Sequence, residues 1–161
     1  MRRSRTIPAA LVGAAFLSRL FAGTTSMPSP VKEILGTAYV QATTVEQIPR
    51  LALTALLNLM KHDPRMANPG DPFNATDVVD TAVPMHRLVL AAGSSESWLI
   101  YYEHGGRGYQ RHLVVFTLSG DSAECCCVGN VGKQVESIGA LHKAGKKGLI
   151  TCDPCPKEPY L

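Results

Sequence analysis

The sequence predicts an α+β domain, an antiparallel four-stranded meander sheet packed by one preceding and one following helix. Four runs rich in branched and aromatic residues follow one another between residues 87 and 128, separated by short turns. A strongly apolar segment precedes these runs, and a segment with apolar residues at helical spacing follows them. Because short turns force neighbouring strands to pair antiparallel, the pattern is typical of the α+β class.

The length and composition of the chain suit one ordinary globular domain. It has 161 residues, of which 45% are hydrophobic and 18% are charged, a balance typical of folded proteins. Four of the sixteen basic residues are arginines within the first 19 residues, no acidic residue precedes Glu33, and the chain without these four arginines has a net charge of −1. Proteins that bind nucleic acid usually carry a basic surface on their folded part. We therefore expect a protein or a small ligand as the partner, and not nucleic acid.

Residues 1–26 are interpreted as a targeting segment, which leaves residues 27–161 as a single domain. A basic head at residues 1–5 precedes an apolar run at residues 9–17, which has the length of a signal-peptide core and is too short for a transmembrane helix. Small residues that suit a signal peptidase follow. We expect export to the periplasm or out of the cell. Two alternatives stay open: a mitochondrial presequence, or a start at Met27 that would leave the protein cytoplasmic.

The first helix is predicted in the apolar segment that ends near residue 62. Thr43 and Glu46 have the spacing of a capping box, and Pro49 is an alternative first helical residue. Pro64 ends the helix. The apolar residues between these limits indicate a helix that packs on a sheet.

Residues 62–84 are predicted to form a long connection, because they contain four prolines together with glycine, aspartate and asparagine. A helical turn is expected at residues 76–81. Asn74 begins a glycosylation acceptor pattern, although a turn held by its side chain is the simpler interpretation.

The centre of the chain is predicted to form the four strands. Trp98, Ile100 and Tyr102 share one face of the second strand by alternation, and we interpret that face as core. The middles of strands two to four are apolar on both faces, so the two helices are expected to cover the sheet. The strands are predicted at residues 87–92, 97–104, 109–118 and 123–128, and the second helix at residues 133–144.

Five cysteines occupy two regions of the sequence. Cys125, Cys126 and Cys127 lie on the fourth predicted strand, and Cys152 and Cys155 form a CxxC motif. Strand alternation predicts Cys125 and Cys127 on one face of the sheet and Cys126 on the other. Two thiols of the strand and two thiols of the tail are therefore expected to converge.

Several chemistries fit this convergence. One or two disulfides that tie the tail to the sheet suit an exported protein best, and free buried thiols are the structural alternative. A zinc ion is the only cofactor that the sequence suggests, since a CxxC motif is a usual half of a four-thiolate site. A redox CxxC fits less well, because Pro154 and Pro156 hold the motif extended. The zinc ligands in that alternative are Cys125, Cys127, Cys152 and Cys155.

Polar residues gather around the turn between the second and third strands. Glu103 and His104 suit the roles of general base and acid, while Arg107 and Arg111 suit stabilisation of a developing anion such as a phosphorane. That set matches the chemistry of a metal-independent ribonuclease. Residues 87–104 resemble a strand–turn–strand–His segment of the small secreted microbial ribonucleases, over roughly a tenth of the chain. This short similarity does not assign the chain to that family.

A metal site built from Glu103, His104 and His112 is a weaker hypothesis. Glu103 and His104 are neighbours on one strand and so point to opposite faces. Whether His104 and His112 share a face depends on the register of the hairpin.

From these patterns we expect a non-enzymatic exported domain that binds its partner through the sheet or the hairpin tips. The alternatives are the ribonuclease-like hydrolase and the zinc-stabilised domain. A hydrolase requires Glu103 and a histidine within about one water of each other in an open cleft. A binding module predicts an exposed apolar patch, and a zinc-stabilised domain predicts four converging sulfur atoms.

Overall fold

The computed structural model describes residues 39–60, 63–131, 135–147 and 149–156. The targeting segment expected at residues 1–26 lies outside these ranges. Within them, no helix has the length and apolar character needed to cross a bilayer. The elements are β1 (Val40–Ala42), a 3-10 turn (Val45–Gln47), α1 (Arg50–Leu59), β2 (Met66–Ala67), β3 (His86–Gly93), β4 (Ser97–His104), β5 (Gln110–Ser119), β6 (Ser122–Val131), α2 (Ile138–Lys146) and β7 (Ile150–Asp153).

All of these strands form one sheet in the order β1-β3-β4-β5-β6-β7, and β2 pairs with β3. Every pairing is antiparallel except that of β2 with β3, which is parallel. The predicted mixed α+β class, with a mostly antiparallel sheet and two helices, is confirmed. The predicted strand number is wrong, since the sheet has seven strands. The three additional strands are two to four residues long, too short to show an alternation pattern in the sequence.

The segment before α1 differs from its prediction by one residue. Gln47 Oε1 accepts hydrogen bonds from the backbone N–H groups of Thr43 and Thr44, at 2.7 and 3.3 Å. Thr44 and Gln47 thus form the capping box, and the predicted Thr43–Glu46 pair is wrong. This box opens the 3-10 turn, whereas α1 begins directly after Pro49, close to the alternative start.

The second helix begins five residues later than predicted. Ser137 is its N-cap, and the Oγ atom of Ser137 accepts a hydrogen bond from the backbone N–H of Ala140 at 3.2 Å. A serine that satisfies a first-turn donor fixes the start of a helix more strongly than apolar spacing does.

The connection between α1 and β3 is held by a buried asparagine and not by the helical turn expected at residues 76–81. The Asn74 side chain is 5% exposed. Its Nδ2 donates to the carbonyl oxygens of Asp80 and Val83 at 2.8 Å, and its Oδ1 accepts from the N–H of Asp80 at 2.7 Å. The simpler interpretation of this asparagine, as the holder of a turn, agrees with these contacts.

The buried apolar residues fall into two clusters. One combines Leu99, Tyr101, Leu113 and Val115 of the central strands with Leu141 of α2. The other combines alternate residues of the same strands with residues of α1. Because strand residues alternate between faces, the two clusters contain residues from opposite faces of the sheet. The second cluster includes Trp98, Ile100 and Tyr102, as expected, and also Val114, Phe116, Ala52 and Leu56.

Two β-bulges change which residues share a face. The register of β3 on β4 shifts between Leu88 and Leu90, and that of β5 on β6 shifts at Val115 and Phe116, which pair with Cys127 and Cys125. Each bulge inserts one extra residue, which inverts the alternation beyond it. The second bulge decides the placement of the cysteines.

Cys125 and Cys127 therefore lie in different clusters, and the prediction that they share a face is wrong. Cys127 packs with the cluster that contains Leu113 and Val115, and Cys125 packs with the one that contains Val114 and Phe116. Cys126 is the inserted residue of the bulge. Its Sγ lies 3.3 Å from the carbonyl oxygen of Val115, and it is unpaired.

The four remaining cysteines form two disulfides that tie the tail to the sheet. Cys125 pairs with Cys155, and Cys127 pairs with Cys152, with Cα atoms 5.9 and 5.5 Å apart. These pairings agree with the predicted disulfides. Since the two pairs lie in different clusters, the four sulfur atoms do not have the single convergent arrangement that a tetrahedral zinc ion needs.

Candidate functional site

Two polar clusters lie back to back at one end of the sheet, where β3 and β5 begin and β4 ends. In the register of these strands, Glu103 is paired with Arg87 on β3 and with Arg111 on β5. The next residue, His104, is paired with His86. Paired residues of neighbouring strands point to the same face, so Glu103 and His104 belong to opposite faces, as alternation predicts.

The first cluster is called the arginine face here, and it consists of Phe73, Arg87, Glu103, Tyr109 and Arg111. Glu103 is 3% exposed. Its Oε2 accepts from Nε and Nη2 of Arg87 at 2.9 and 2.6 Å. Its Oε1 accepts from the hydroxyl of Tyr109 and lies 3.9 Å from Nε of Arg111. One carboxylate therefore lies between two guanidinium groups.

Each of the two guanidinium groups of the arginine face lies over an aromatic ring. The Cζ atom of Arg87 is 4.2 Å from the ring centroid of Phe73, and that of Arg111 is 5.1 Å from the ring centroid of Tyr109. Such stacking leaves the edges of a guanidinium available for hydrogen bonds. Burial and the hydrogen bond to Glu103 raise the pKa of the Tyr109 phenol, so this hydroxyl stays protonated and donates.

The second cluster is called the histidine cluster and consists of His86, His104 and His112, with Tyr102 beside them. The ring centroids of His86 and His104 are 4.6 Å apart and their planes are stacked. Those of His104 and His112 are 5.9 Å apart, and that of Tyr102 lies 5.3 Å from His112. His104 and His112 thus share a face.

Two histidines of this cluster are neutral at neutral pH. His86 and His112 are 1% and 7% exposed. Burial, followed by the proximity of His104, lowers the pKa of each imidazole to about 4. Neither ring nitrogen of His86, nor Nε2 of His112, has a hydrogen-bond partner in the part of the chain that the structure describes.

Among the residues described, no group of three histidine, cysteine, aspartate or glutamate side chains has the spacing to hold a metal ion. The stacked rings of His86 and His104 fit this result, because stacked imidazoles do not aim their lone pairs at one point. Glu103 lies on the opposite face of the strand from His104. The histidine cluster therefore differs from the metal site considered from the sequence.

The structure brings together only part of the catalytic set predicted from the sequence. Glu103 and Arg111 are in contact on the arginine face. His104 is on the other side of the sheet, and Arg107 is exposed in the turn between β4 and β5. The separation of Glu103 from His104 has a simple cause, which is the alternation of side chains along β4.

Sequence reasoning missed Arg87 and Phe73 as members of the site. If β3 and β4 paired without a bulge, counting back from their turn would place Leu88 opposite Glu103. The inserted residue near Val89 instead places Arg87 opposite Glu103. Phe73 lies in the long connection, whose position against the sheet cannot be predicted from a strand register. The pairing of Glu103 with Arg111 could be predicted from the sequence, because the β4–β5 hairpin has no bulge.

Comparisons of the chain with protein-family models, with curated proteins and with solved structures found no match in any of the three.

Proposed function

We propose that this protein is an exported, non-enzymatic binding domain that holds an anionic group, a phosphate ester or a carboxylate, on the arginine face. The observation that carries the proposal is the pair of guanidinium groups of Arg87 and Arg111 on either side of the single carboxylate of Glu103. The arginine face has a net charge of +1 at neutral pH, within a domain that is otherwise close to neutral.

Arg111 supplies the positive charge that this ligand would contact. Its side chain is 24% exposed, and its Nε atom is 3.9 Å from the nearest carboxylate oxygen of Glu103, whereas Nη2 of Arg87 is 2.6 Å from that carboxylate. The charge of Arg111 is therefore the less closely paired of the two, and an anion beside the exposed part of its guanidinium group would complete the pairing. Arginine is also the side chain best suited to planar recognition of phosphate and carboxylate groups.

The site is polar and aromatic, unlike the apolar patch expected for a binding module. Tyr109 is 39% exposed and lies at the edge of the arginine face, next to the turn that carries Arg107. A ligand with a planar or apolar part beside its anionic group would contact this ring. The hairpin tip is therefore part of the binding surface that we propose.

The contacts of Glu103 favour binding over catalysis. Both carboxylate oxygens accept hydrogen bonds from protein donors, so neither is directed at a substrate as a general base. The hydrolase alternative has Glu103 and Arg111 on one face together with the Tyr109 hydroxyl. It lacks the histidine within about one water of Glu103 that it requires, because His104 belongs to the opposite face of the sheet.

Export is part of the proposal because of the two disulfides. Paired cysteines persist in oxidising compartments such as the periplasm and the extracellular space. The apolar run at residues 9–17, interpreted as the core of a signal peptide, would direct the chain to such a compartment.

Titration calorimetry with inorganic phosphate and with citrate tests the binding function. We expect binding of at least one of them by the full chain, weakened about tenfold or more by Arg111→Gln, equivalent to at least about 1.4 kcal/mol. The matched control is Arg50→Gln, which removes a charge from the exposed start of α1. Equal binding by both variants, or no binding at millimolar concentrations, contradicts the proposal.

Incubation with polyuridylate in the same buffer tests the alternative. Cleavage that disappears in Glu103→Gln and persists in Arg50→Gln would favour the hydrolase over the binding domain.

A further inference from the structure

We propose that the histidine cluster makes residues 63–85 an acid-sensitive cover, which detaches from β3 when the cluster takes up protons. This segment is called the cover here. The inference concerns a conformational change of the fold and stands independently of the ligand proposed above.

The cover contacts the sheet beside the histidine cluster. Its β2 strand pairs with the start of β3, where Met66 is opposite His86. Within the cover, Asp63 Oδ2 accepts from the N–H of Met85 at 3.0 Å, which joins its first residue to its last. The carbonyl oxygen of Met85 accepts from the N–H of Gly105 at 2.9 Å.

Hydrogen bonds from Arg65 join the beginning of the cover to its end. The guanidinium group of Arg65 donates to the carboxylate of Asp63, with Nε 2.7 Å from Oδ1. It also donates to the carbonyl oxygens of Thr81 and Val83 at 3.2 and 3.4 Å. The two ends of the cover are therefore joined, which favours movement of the whole segment as one unit.

Burial and the neighbouring His104 outweigh the groups that favour a charged His86, and its pKa is lowered to about 4. The groups that favour the charged form are the Asp63 carboxylate, which is already paired with Arg65, and the backbone of Asp63 and Arg65. On β6, the position opposite His112 is the neutral Asn130. Arg87, Glu103 and Arg111 belong to the other face of the same strands. Lys61 and His62, which precede the cover, lie outside the described residues.

Protonation therefore creates repulsion inside the cluster. Imidazolium rings at the observed centroid distances of 4.6 and 5.9 Å would be like charges in a site with little water. Exposure of His86 relieves both the repulsion and the burial of charge. Detaching the two-residue β2 and its loop breaks fewer hydrogen bonds than separating the central strands β4 and β5 does.

The expected size of the effect follows from linkage. A histidine whose pKa is about 4 in the closed state and ordinary in the open state favours opening by roughly 50- to 100-fold more at pH 4.5 than at pH 7.5. Burial raises the pKa of the Asp63 carboxyl, but the hydrogen bonds from Arg65 and from the backbone outweigh it and keep that pKa below its ordinary value, so Asp63 adds little to the change between pH 7.5 and pH 4.5. The change can therefore be assigned to histidine.

Hydrogen exchange at pH 7.5 and pH 4.5, corrected for intrinsic exchange rates, tests the proposal. The reporting amides are those of Gly105 and Gly106, which donate to the carbonyl oxygens of Met85 and Asn74 in the cover. We expect their protection to fall at least tenfold at pH 4.5. The control amides, Ser94 and Leu118, lie at the other end of the strands and should lose much less protection than the reporting amides do.

Two variants identify the groups that titrate. His86→Leu and, as a second variant in case the first does not fold, His112→Asn should each reduce the loss of protection. His142→Gln, on α2 and outside the cluster, should leave the loss unchanged. Equal loss at both sets of amides, loss at neither, or full loss in both cluster variants would overturn the proposal.

Discussion

Cys125 and Cys127 are two residues apart on β6, yet their side chains pack into different hydrophobic clusters. The cause is the bulge at Cys126, because this inserted residue inverts the alternation of the side chains beyond it. The two disulfides thus attach the tail to the sheet at two separate places. One of them closes a separation of 30 residues and the other a separation of 25 residues.

Removing either disulfide should lower the free energy of unfolding by about 2–3 kcal/mol, because the remaining, nested disulfide already shortens the loop of the unfolded chain. Cys125→Ser combined with Cys155→Ser and Cys127→Ser combined with Cys152→Ser should give similar losses. The measurement is the urea midpoint of each double variant. Cys126→Ser is the control and should change the midpoint little. A loss in the control equal to that of either pair would show that the disulfides do not stabilise the fold in this way.

Glu103→Gln should destabilise the domain, because it leaves two partly buried guanidinium groups without their carboxylate. A loss of about 3 kcal/mol in the free energy of unfolding is expected. If the folded variant is titrated with phosphate, its affinity should rise, since the charge of the arginine face increases by one. Glu124→Gln, at an exposed position of β6, serves as the matched control. Weaker phosphate binding by folded Glu103→Gln would contradict the proposed role of the two arginines.

Acid should destabilise the whole domain before its carboxylates titrate. His86 and His112 have pKa values of about 4 against an ordinary 6.5. Above pH 6.5 both are neutral in the folded and unfolded states, so they add no pH dependence. As the pH falls from 6.5 towards 4, the unfolded chain binds protons first, and each histidine lowers the free energy of unfolding by about 1.4 kcal/mol per pH unit.

Urea midpoints at pH 7, 6 and 5 measure this effect. The midpoint should decrease steadily below pH 6.5, and the decrease should be smaller in His112→Asn. A constant midpoint down to pH 4.5 would mean that the two imidazoles are not buried as described.

Gly105→Ala should weaken the attachment of the cover to the β4–β5 turn. A Cβ atom at Gly105 would overlap the carbonyl oxygen of Asn74, because the backbones approach too closely there for any side chain. We expect a loss of about 1–3 kcal/mol and faster exchange at the amide of Gly106. Gly139→Ala, where a Cβ meets nothing within 4 Å, should not destabilise α2. Similar stability of the two variants would argue against the close contact at Gly105.

The four central strands and both helices could be predicted from the sequence, because their patterns are local. Trp98, Ile100 and Tyr102 alternate along one strand, and that periodicity alone identified their common face. The opposite orientation of Glu103 and His104 followed from the same rule. The apolar residues of α1 likewise identified a helix that packs on the sheet.

The tertiary structure alone decided the pairing of Arg87 with Glu103, the partners of Cys125 and Cys127, and the position of Phe73. The two pairings depend on β-bulges, and the position of Phe73 depends on a long connection. Whether a strand contains a bulge, and where a long connection lies, is determined by contacts with neighbouring strands and by packing. Such contacts join residues that are far apart in the sequence, and local sequence patterns do not predict them. The sequence thus determined which segments become strands and helices, and packing determined which of their side chains meet.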